Sequence, residues 1–361
     1  MSSDITTIEQ LHHYLYVAIQ LEHATIPPYL MALYSIDPDP KINVYAKEHL
    51  RTVVIEEMLH LTLAANILNA AGGQPDLTKP GFVPLYPARL PDGAKDFQVS
   101  LRPFSKAAIE TFLKIERPDE IPNGKPRLVK RSPHSMSLAL KPPGSGNMHY
   151  YSIGEFYEAI AVGLKHLDQQ IGNQLFPTGR EHWQVERDPY YSGGGTCRKV
   201  TDLKSALLAI DIIKDQGEGY DAGVFDDDHE LAHYYRFNEL KLGRKYKQGD
   251  TRESGPTGEK LDVDWNAVYP IKVNPRIADY VDWPELQTDA VSFNKTYAEF
   301  LALITKAFTG KPELLYEAEK LMMGVLRQKM LALIHTPIRG MDCVNAGPTF
   351  EMPVESKEDV C

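Results

Sequence analysis

An acidic residue and a histidine lie on the apolar stripe of a long predicted helix, and this pair constrains the fold more than any other feature. The stretch 43–71 has apolar residues every three or four positions, and Glu57 and His60 fall inside that stripe. An unpaired carboxylate in a helix core costs several kcal/mol, so the pattern requires a cation, a basic side chain or a proton. A spacing of three residues puts both side chains on one helix face, where one metal ion can bind them.

A second acidic residue, Glu22, lies on the apolar stripe of the first predicted helix, which spans about residues 7–36. Pro27 and Pro28 follow it and predict a kink within about one turn, because proline removes backbone donors. A buried carboxylate at this position also needs a partner. The basic residues of the second helix that offer an alternative to a metal ion are Lys47 and Arg51.

The third predicted helix, residues 152–175, carries two acids on the side opposite its main apolar stripe. Glu158 is preferred for a buried role because alanine and valine flank it. Glu155 lies in the first turn, where the helix dipole favours an acid. Either acid reaches a buried site only if this helix is covered on two faces.

The fourth predicted segment, residues 202–242, brings a second Glu-x-x-His pair, Glu230 and His233, after an acidic turn. If this segment packs as a hairpin on the third helix, however, the level of Glu158 matches Glu218 instead. His233 would then fold back across a glycine-containing break. Spacing does not choose between these arrangements, so seven residues compete for six places: Glu22, Glu57, His60, Glu158, Glu218, Glu230 and His233.

Four carboxylates and two imidazoles on four separate helices are the ligand set of a carboxylate-bridged dinuclear metal site inside a four-helix bundle. Such a set leaves two divalent ions nearly neutral, with coordination positions open for dioxygen or water. The conjunction is far more specific than either Glu-x-x-His pair. We therefore expect an all-α fold that binds two iron ions, or manganese in their place.

Two long irregular segments interrupt the predicted helices, at residues 72–151 and 176–200. Proline and glycine are dense there, which is typical of lids, pocket walls and binding loops. Two further helices are predicted within residues 291–335, and residues 341–361 are predicted to form a polar tail. A chain of 361 residues is long enough for a substantial core, and we expect one domain over residues 1–340.

Charge and composition argue against two classes of partner. The formal net charge is −10 and no Lys/Arg-rich run is present, which argues against nucleic acid. No window approaches the ~20 apolar residues of a membrane span, and the first residues lack a signal-peptide pattern. Cys197, Cys343 and Cys361 have no metal-type spacing and suit a reducing compartment. We expect a cytoplasmic protein.

Several strings of the chain resemble one known family, and the similarity spans about Leu11 to Glu351. The strings are LEHATIPPYLMALYS, IEEMLHLTLAANILNAAGG, IGEFYEAI, DQGEGYDAG, HYYRFNEL and AGPTFE. They look like the ferritin-like domain of the iminophenyl-pyruvate dimer synthase type. That domain lies at the N-terminal end of large enzymes that make chromopyrrolic-acid-type precursors in the violacein and rebeccamycin pathways.

The resemblance implies a ferritin-like four-helix bundle with long insertions. It implies metal ligands at Glu22, Glu57, His60, Glu158, Glu218 or Glu230, and His233. The long pathway enzymes contain further domains beyond a chain of 361 residues, so their dimerising coupling does not transfer directly.

The first functional hypothesis is a dinuclear, oxygen-dependent oxidase or oxygenase acting on a small metabolite, amino-acid-derived in the family that the chain resembles. Its partners would be that substrate and dioxygen, and a homo-oligomer is compatible with the sequence. The alternatives are a non-catalytic metal-binding protein, an oxidative coupling enzyme of the dimer synthase type, and a bundle whose buried acids pair with Arg and Lys. Metal analysis and substrate-dependent oxygen uptake separate these alternatives.

Overall fold

The computed structural model describes residues 5–91, 97–118, 129–130, 148–150, 152–186, 196–219 and 223–353. Its α-helices are α1 (Ile8–Ser35), α2 (Val44–Ala70), α3 (Lys106–Ile115), α4 (Ile153–Ile171), α5 (Leu203–Glu218), α6 (His233–Leu242), α7 (Pro284–Ala307), α8 (Leu314–Leu321) and α9 (Arg327–Ile334). A π-helical turn, Met322–Leu326, joins α8 to α9. A short antiparallel ladder pairs β1 (Val129–Lys130) with β2 (Met148–His149). Parts of the predicted insertions and the end of the predicted tail lie outside the described residues.

Helices α1 and α2 form the centre of a four-helix bundle with α4 and α5. They run antiparallel, since Nε2 of His12 at the start of α1 lies 2.7 Å from the carbonyl oxygen of Ala71 just after α2. Helix α4 packs on α1 and on α5, and α5 packs back on α2. Helix α2 has the length and hydropathy of a membrane span, but 89% of that window is buried inside the protein. Its apolar character is therefore that of a core helix, and the expected all-α bundle is confirmed.

Helix α1 continues through its two prolines instead of ending at them. Proline at position 28 has no N–H to donate to the carbonyl oxygen of Ala24 one turn earlier. The hydroxyl of Tyr86, from the following loop, donates to that oxygen at 2.8 Å. A loop side chain thus replaces the missing helix hydrogen bond and ties the 72–91 segment to α1.

The predicted fourth segment consists of two helices separated by a sharp break. Helix α5 ends where Gly219 takes a φ of +93°, and a Cβ at this position would lie 2.4 Å from the carbonyl oxygen of Gly223. Helix α6 begins at His233, and Glu230 precedes it, with a backbone N–H that donates to Asp226 at 2.8 Å. The prediction that Glu230 and His233 share one helix face is therefore wrong.

Helices α7 to α9 form an added layer that contacts α1. Helix α7 begins at Pro284 rather than at 291, because proline suits the first helical position. The chain after α9 is packed: Phe350 is 2% exposed and makes edge-to-face contacts with Phe293 and Tyr297. Within the predicted 341–361 tail, residues 346–350 thus belong to the folded core, whereas residues 341–343 are exposed.

Candidate metal centre

Five acidic and histidine side chains from four elements meet in the bundle interior. Glu22 comes from α1, Glu57 and His60 from α2, Glu116 from the residue after α3, and His233 from the start of α6. None of the five is more than 4% exposed. We call these five residues the Glu/His cluster.

Glu57 lies between two halves of the Glu/His cluster. Its Oε1 is 3.8 Å from Nδ1 of His60 and 3.1 Å from Nδ1 of His233. On one side, Oε2 of Glu22 is 3.6 Å from Nδ1 of His60, and on the other, Oε2 of Glu116 is 3.4 Å from Nδ1 of His233. Each half therefore has one carboxylate and one histidine of its own, and the halves share Glu57.

A hydroxyl group donates to the second oxygen of each cluster carboxylate. The three pairs are Tyr157 with Glu22 at 2.5 Å, Thr25 with Glu57 at 2.5 Å, and Tyr29 with Glu116. In every pair the hydroxyl binds one oxygen, and the other oxygen is directed toward a histidine. The hydroxyls thus hold the carboxylates in place without using the atoms that would face a cation.

The two histidines are oriented by acceptors on their outer nitrogens. Nε2 of His60 lies 2.9 Å from the amide oxygen of Gln216, and Nε2 of His233 lies 2.9 Å from Oε2 of Glu56. An oxygen acceptor on Nε2 favours a proton there, so a metal ion that displaces the other proton would bind Nδ1, as in metal-ligating histidines. Nδ1 of His233 is completely buried, between Oε1 of Glu57 at 3.1 Å and Oε2 of Glu116 at 3.4 Å.

The donor set can hold a metal ion. The ligand atoms of Glu57, His60 and His233 all lie within 4.8 Å of one another. Carboxylate oxygen and imidazole nitrogen are the ligand types of iron and manganese sites in helical bundles. The carboxylates of Glu22 and Glu116 accept hydroxyl groups on one oxygen and lie beside the cluster histidines with the other.

The electrostatics of the Glu/His cluster favour bound protons when no cation is present. Burial, together with the nearby Glu116 carboxylate, raises the pKa of Glu57 to about 7. Burial lowers the pKa of His60, but the Glu22 and Glu57 carboxylates outweigh it and the net shift is upward. His233 follows the same pattern, and the carboxylates around it raise its pKa well above the ordinary value. A divalent ion would displace these protons.

Four of the seven predicted site residues are brought together, and Glu158, Glu230 and Glu218 are not. Glu22, Glu57, His60 and His233 belong to the Glu/His cluster. Glu158 pairs with Lys214 at 2.9 Å and its side chain is 40% exposed. Glu230 pairs with Arg236 at 2.8 Å and its side chain is 48% exposed. Neither Glu158 nor Glu230 reaches the cluster.

Glu218 on α5 and Glu155 on α4 are the two alternative candidates, and the side chains of both lie at the first turn of α4. Oε1 of Glu218 accepts the backbone N–H of Gly154 at 2.8 Å, at the first turn of α4. A Cβ at Gly154 would lie 2.3 Å from that oxygen, so glycine is needed for this contact. Glu155 is buried at the same end of α4, where its own backbone N–H donates to Ser152. Glu218 lies beside the cluster rather than within it.

Glu116 is the cluster member that the sequence predictions missed. It follows α3, which lies in the 72–151 segment whose composition is typical of lids, pocket walls and binding loops. Its position was nevertheless readable, because Ile109, Phe112 and Glu116 lie at i, i+3 and i+7 on one apolar face. A buried acid on the stripe of a helix in an insertion was the signal.

A narrow cleft leads from the surface to the Glu/His cluster. Its walls include the apolar side chains of Ile153 and Ile213 and the basic side chains of Arg117 and Lys214. The cluster residues that line it are Glu22, Glu57, His60 and Glu116. Within the described part of the chain, His233 is the cluster member that does not line this cleft.

Comparisons with known proteins point to one family. A family model described as Ferritin-like matches residues 15–242. A solved structure, described as a ferritin-like protein from Caulobacter vibrioides, superimposes with a TM-score of 0.55 at 23% identity, over 91% of this chain and 96% of that one. This second similarity concerns the fold alone.

Two curated proteins are similar in sequence over most of the chain. Dichlorochromopyrrolate synthase from Lentzea aerocolonigenes is 29% identical over 325 residues, covering 83% of this chain and 29% of the relative. The 2-imino-3-(indol-3-yl)propanoate dimerase from Chromobacterium violaceum is 27% identical over 315 residues, covering 84% of this chain and 27% of the relative. The chain thus spans less than a third of the length of either relative.

Proposed function

The chain belongs to the ferritin-like family, and from that premise we propose that it is a dinuclear metal enzyme that uses dioxygen to oxidise a small, amino-acid-derived metabolite. The metal ions are iron, with manganese as the alternative, and the ligands are the five residues of the Glu/His cluster. The observation that carries the proposal is the arrangement of the histidines. Both direct Nδ1 toward Glu57, and both have an oxygen acceptor on Nε2.

The charge of the cluster is compatible with two ions. With the histidines as neutral ligands, three carboxylates balance three of the four positive charges of two divalent ions, and the carboxylate of Glu218 also lines the cleft beside them. Two bound iron ions would supply the electrons that reduce dioxygen and would then accept electrons from the substrate.

The protein's own residues position the reaction. Tyr157 and Tyr29 hold the terminal carboxylates of Glu22 and Glu116 by one oxygen each, so the carboxylates keep their orientation toward the histidines. The bundle buries His233 completely, away from the cleft. The substrate approaches through the cleft, where the apolar walls favour a partly hydrophobic molecule.

We propose an α-imino or α-amino carboxylate as the substrate class. The relative from Chromobacterium violaceum is named for an indolic imino acid, 2-imino-3-(indol-3-yl)propanoate. Arg117 and Lys214 line the cleft together with Glu218, and Lys214 also pairs with Glu158. The two cationic groups would attract a substrate carboxylate, and Ile153 and Ile213 would contact its side chain. Oxidative coupling of two such molecules is the related alternative reaction.

The test is anaerobic reconstitution with Fe(II), followed by exposure to oxygen in the presence of an indolic imino acid. The proposal predicts about two iron ions per chain and oxygen consumption that depends on the imino acid. Glu22→Gln should reduce both iron content and oxygen uptake. Glu158→Gln is the matched control, because this carboxylate pairs with Lys214 outside the cluster, and it should retain the iron.

Two results would contradict the proposal. A purified chain that binds no Fe(II) would favour a bundle stabilised by its own protons. Stoichiometric iron without substrate-dependent oxygen uptake would favour a metal-binding protein that is not an enzyme.

A further inference from the structure

We propose that the two halves of the Glu/His cluster are inequivalent: the half with His233 and Glu116 retains its metal ion, and the half with His60 and Glu22 exchanges it. This inference rests on the proposed dinuclear function and deepens it. Gln216 and Glu56 are the positioning residues that create the difference. The difference between the two halves follows from the chemistry of these two residues and from the position of the cleft.

The two histidines differ in the charge of their outer acceptors. The distances are the same, 2.9 Å from Nε2 of His60 to Gln216 and 2.9 Å from Nε2 of His233 to Glu56. The two distances are therefore equal, but the acceptors differ in charge, because one is a neutral amide and the other is a carboxylate. A carboxylate acceptor raises the basicity of a ligating imidazole more than an amide does. His233 is therefore the stronger donor.

On the side away from His233, the carboxylate of Glu56 has a basic neighbour, Arg236. Glu56 is 2% exposed, and the guanidinium of Arg236 lies 4.0 Å from its Oε1. Arg236 in turn pairs with Glu230 at 2.8 Å. The Glu56 carboxylate thus has a histidine nitrogen beside one oxygen and a guanidinium near the other. Glu230 thus belongs to a chain of contacts that ends at His233.

The two halves of the Glu/His cluster also differ in solvent access, and the Glu22–His60 half is the more accessible one. Glu22 and His60 both line the cleft, whereas His233 is completely buried and, in the described part of the chain, is absent from its walls. Glu57 and Glu116 also reach the cleft. Water or a chelator therefore meets both ligands of the Glu22–His60 half but only the carboxylates of the other half.

The experiment follows metal release from the full chain loaded with Co(II), a spectroscopic probe. Excess chelator is added, and the decay of the Co(II) absorption and the residual metal content are recorded. The wild-type protein should release two ions in two phases that differ at least about tenfold in rate. His60→Gln should remove the fast phase, which assigns that phase to the half beside the cleft.

Reciprocal substitutions separate the charge effect from a structural effect. Glu56→Gln should accelerate the slow phase about 10- to 100-fold and leave the fast phase unchanged, while Gln216→Glu should slow the fast phase. The double variant exchanges the two acceptors and conserves the net charge. It should bring the two release rates together or reverse their order, which general loosening of the bundle would not do.

Different results would contradict the inequivalence of the two halves and the dinuclear function on which it rests. Two Co(II) ions that leave in a single phase from the wild-type protein would overturn the inequivalence and leave the dinuclear function standing. The inequivalence would also be overturned if both single substitutions changed the same phase. Failure to bind Co(II) and Fe(II) at all would overturn both.

Discussion

Oε1 of Glu57 lies 3.1 Å from Nδ1 of His233, although the two residues come from different helices and are far apart in the sequence. The same oxygen faces His60, and the other oxygen of Glu57 accepts the hydroxyl of Thr25. One carboxylate is thereby placed between two imidazoles with its second oxygen already bound. Glu57 would therefore contact a cation bound by either histidine.

Glu116 is predicted to be a ligand of the ion held by His233. Glu116→Gln should lower the metal content from about two ions to about one per chain and should remove the slow phase of Co(II) release. Metal analysis after desalting measures the change. Glu110→Gln is the control, because Glu110 is on the exposed face of the same helix, α3. Equal metal content in both variants would exclude Glu116 as a ligand.

The stability of the metal-free protein is predicted to fall as pH rises from about 6.5 to 8. Glu57, His60 and His233 all have folded-state pKa values above their ordinary ones, so the folded chain binds more protons than the unfolded chain in this range. Proton-linked stability is present at the lower pH and is lost as pH passes through the folded pKa values.

Thermal unfolding with and without metal measures this dependence. The melting temperature of the metal-free protein should decrease by several degrees across the window. The stabilisation by added Fe(II) or Co(II) should increase over the same window, because fewer protons compete for the ligands. A metal-free protein whose stability rises from pH 6.5 to 8 would contradict the electrostatic description.

Substrate recognition is predicted to depend on Arg117 and Lys214. Replacing either by alanine should raise KM for a carboxylate substrate about tenfold or more, with a smaller effect on kcat, because a charged hydrogen bond is lost in binding. Lys114→Ala is the control. Like Arg117, Lys114 lies over the ring of Phe97, but it does not line the cleft. An unchanged KM in both cleft variants would refute carboxylate recognition there.

Tyr86→Phe is predicted to destabilise the fold by about 1–3 kcal/mol, because it leaves the carbonyl oxygen of Ala24 buried without a donor. Denaturant unfolding of the metal-free protein measures the loss. Tyr16→Phe is a useful comparison, since its hydroxyl donates to a carbonyl at a half-buried position. A larger loss at Tyr16 would contradict the special role assigned to the proline-containing turn of α1.

The sequence predicted the central pair of helices and three of the five cluster residues on sound physical grounds. Helices α1 and α2 are long, so their apolar stripes are well defined, and Glu22, Glu57 and His60 interrupt those stripes. An acid on a buried stripe is informative because burial of a carboxylate is costly without a partner. The predicted family is confirmed by the same regions of the chain.

The remaining ligand assignments depended on tertiary contacts, which the spacing of residues in the sequence does not predict. Glu158 and Glu230 lie in plausible patterns, but each has a basic partner that only the fold reveals, Lys214 and Arg236. The break after α5 also placed His233 at a helix start, where helical periodicity with Glu230 no longer applies. Periodicity is reliable only within one continuous helix.

The most direct test of the account is a crystal structure of the protein soaked anaerobically with Fe(II), with anomalous diffraction measured at the iron edge. The account predicts two peaks about 3.5–4 Å apart, one between Glu22 and His60 and one between Glu116 and His233, with Glu57 in contact with both. A map without iron peaks at these residues, with the carboxylates paired to basic side chains instead, would contradict it.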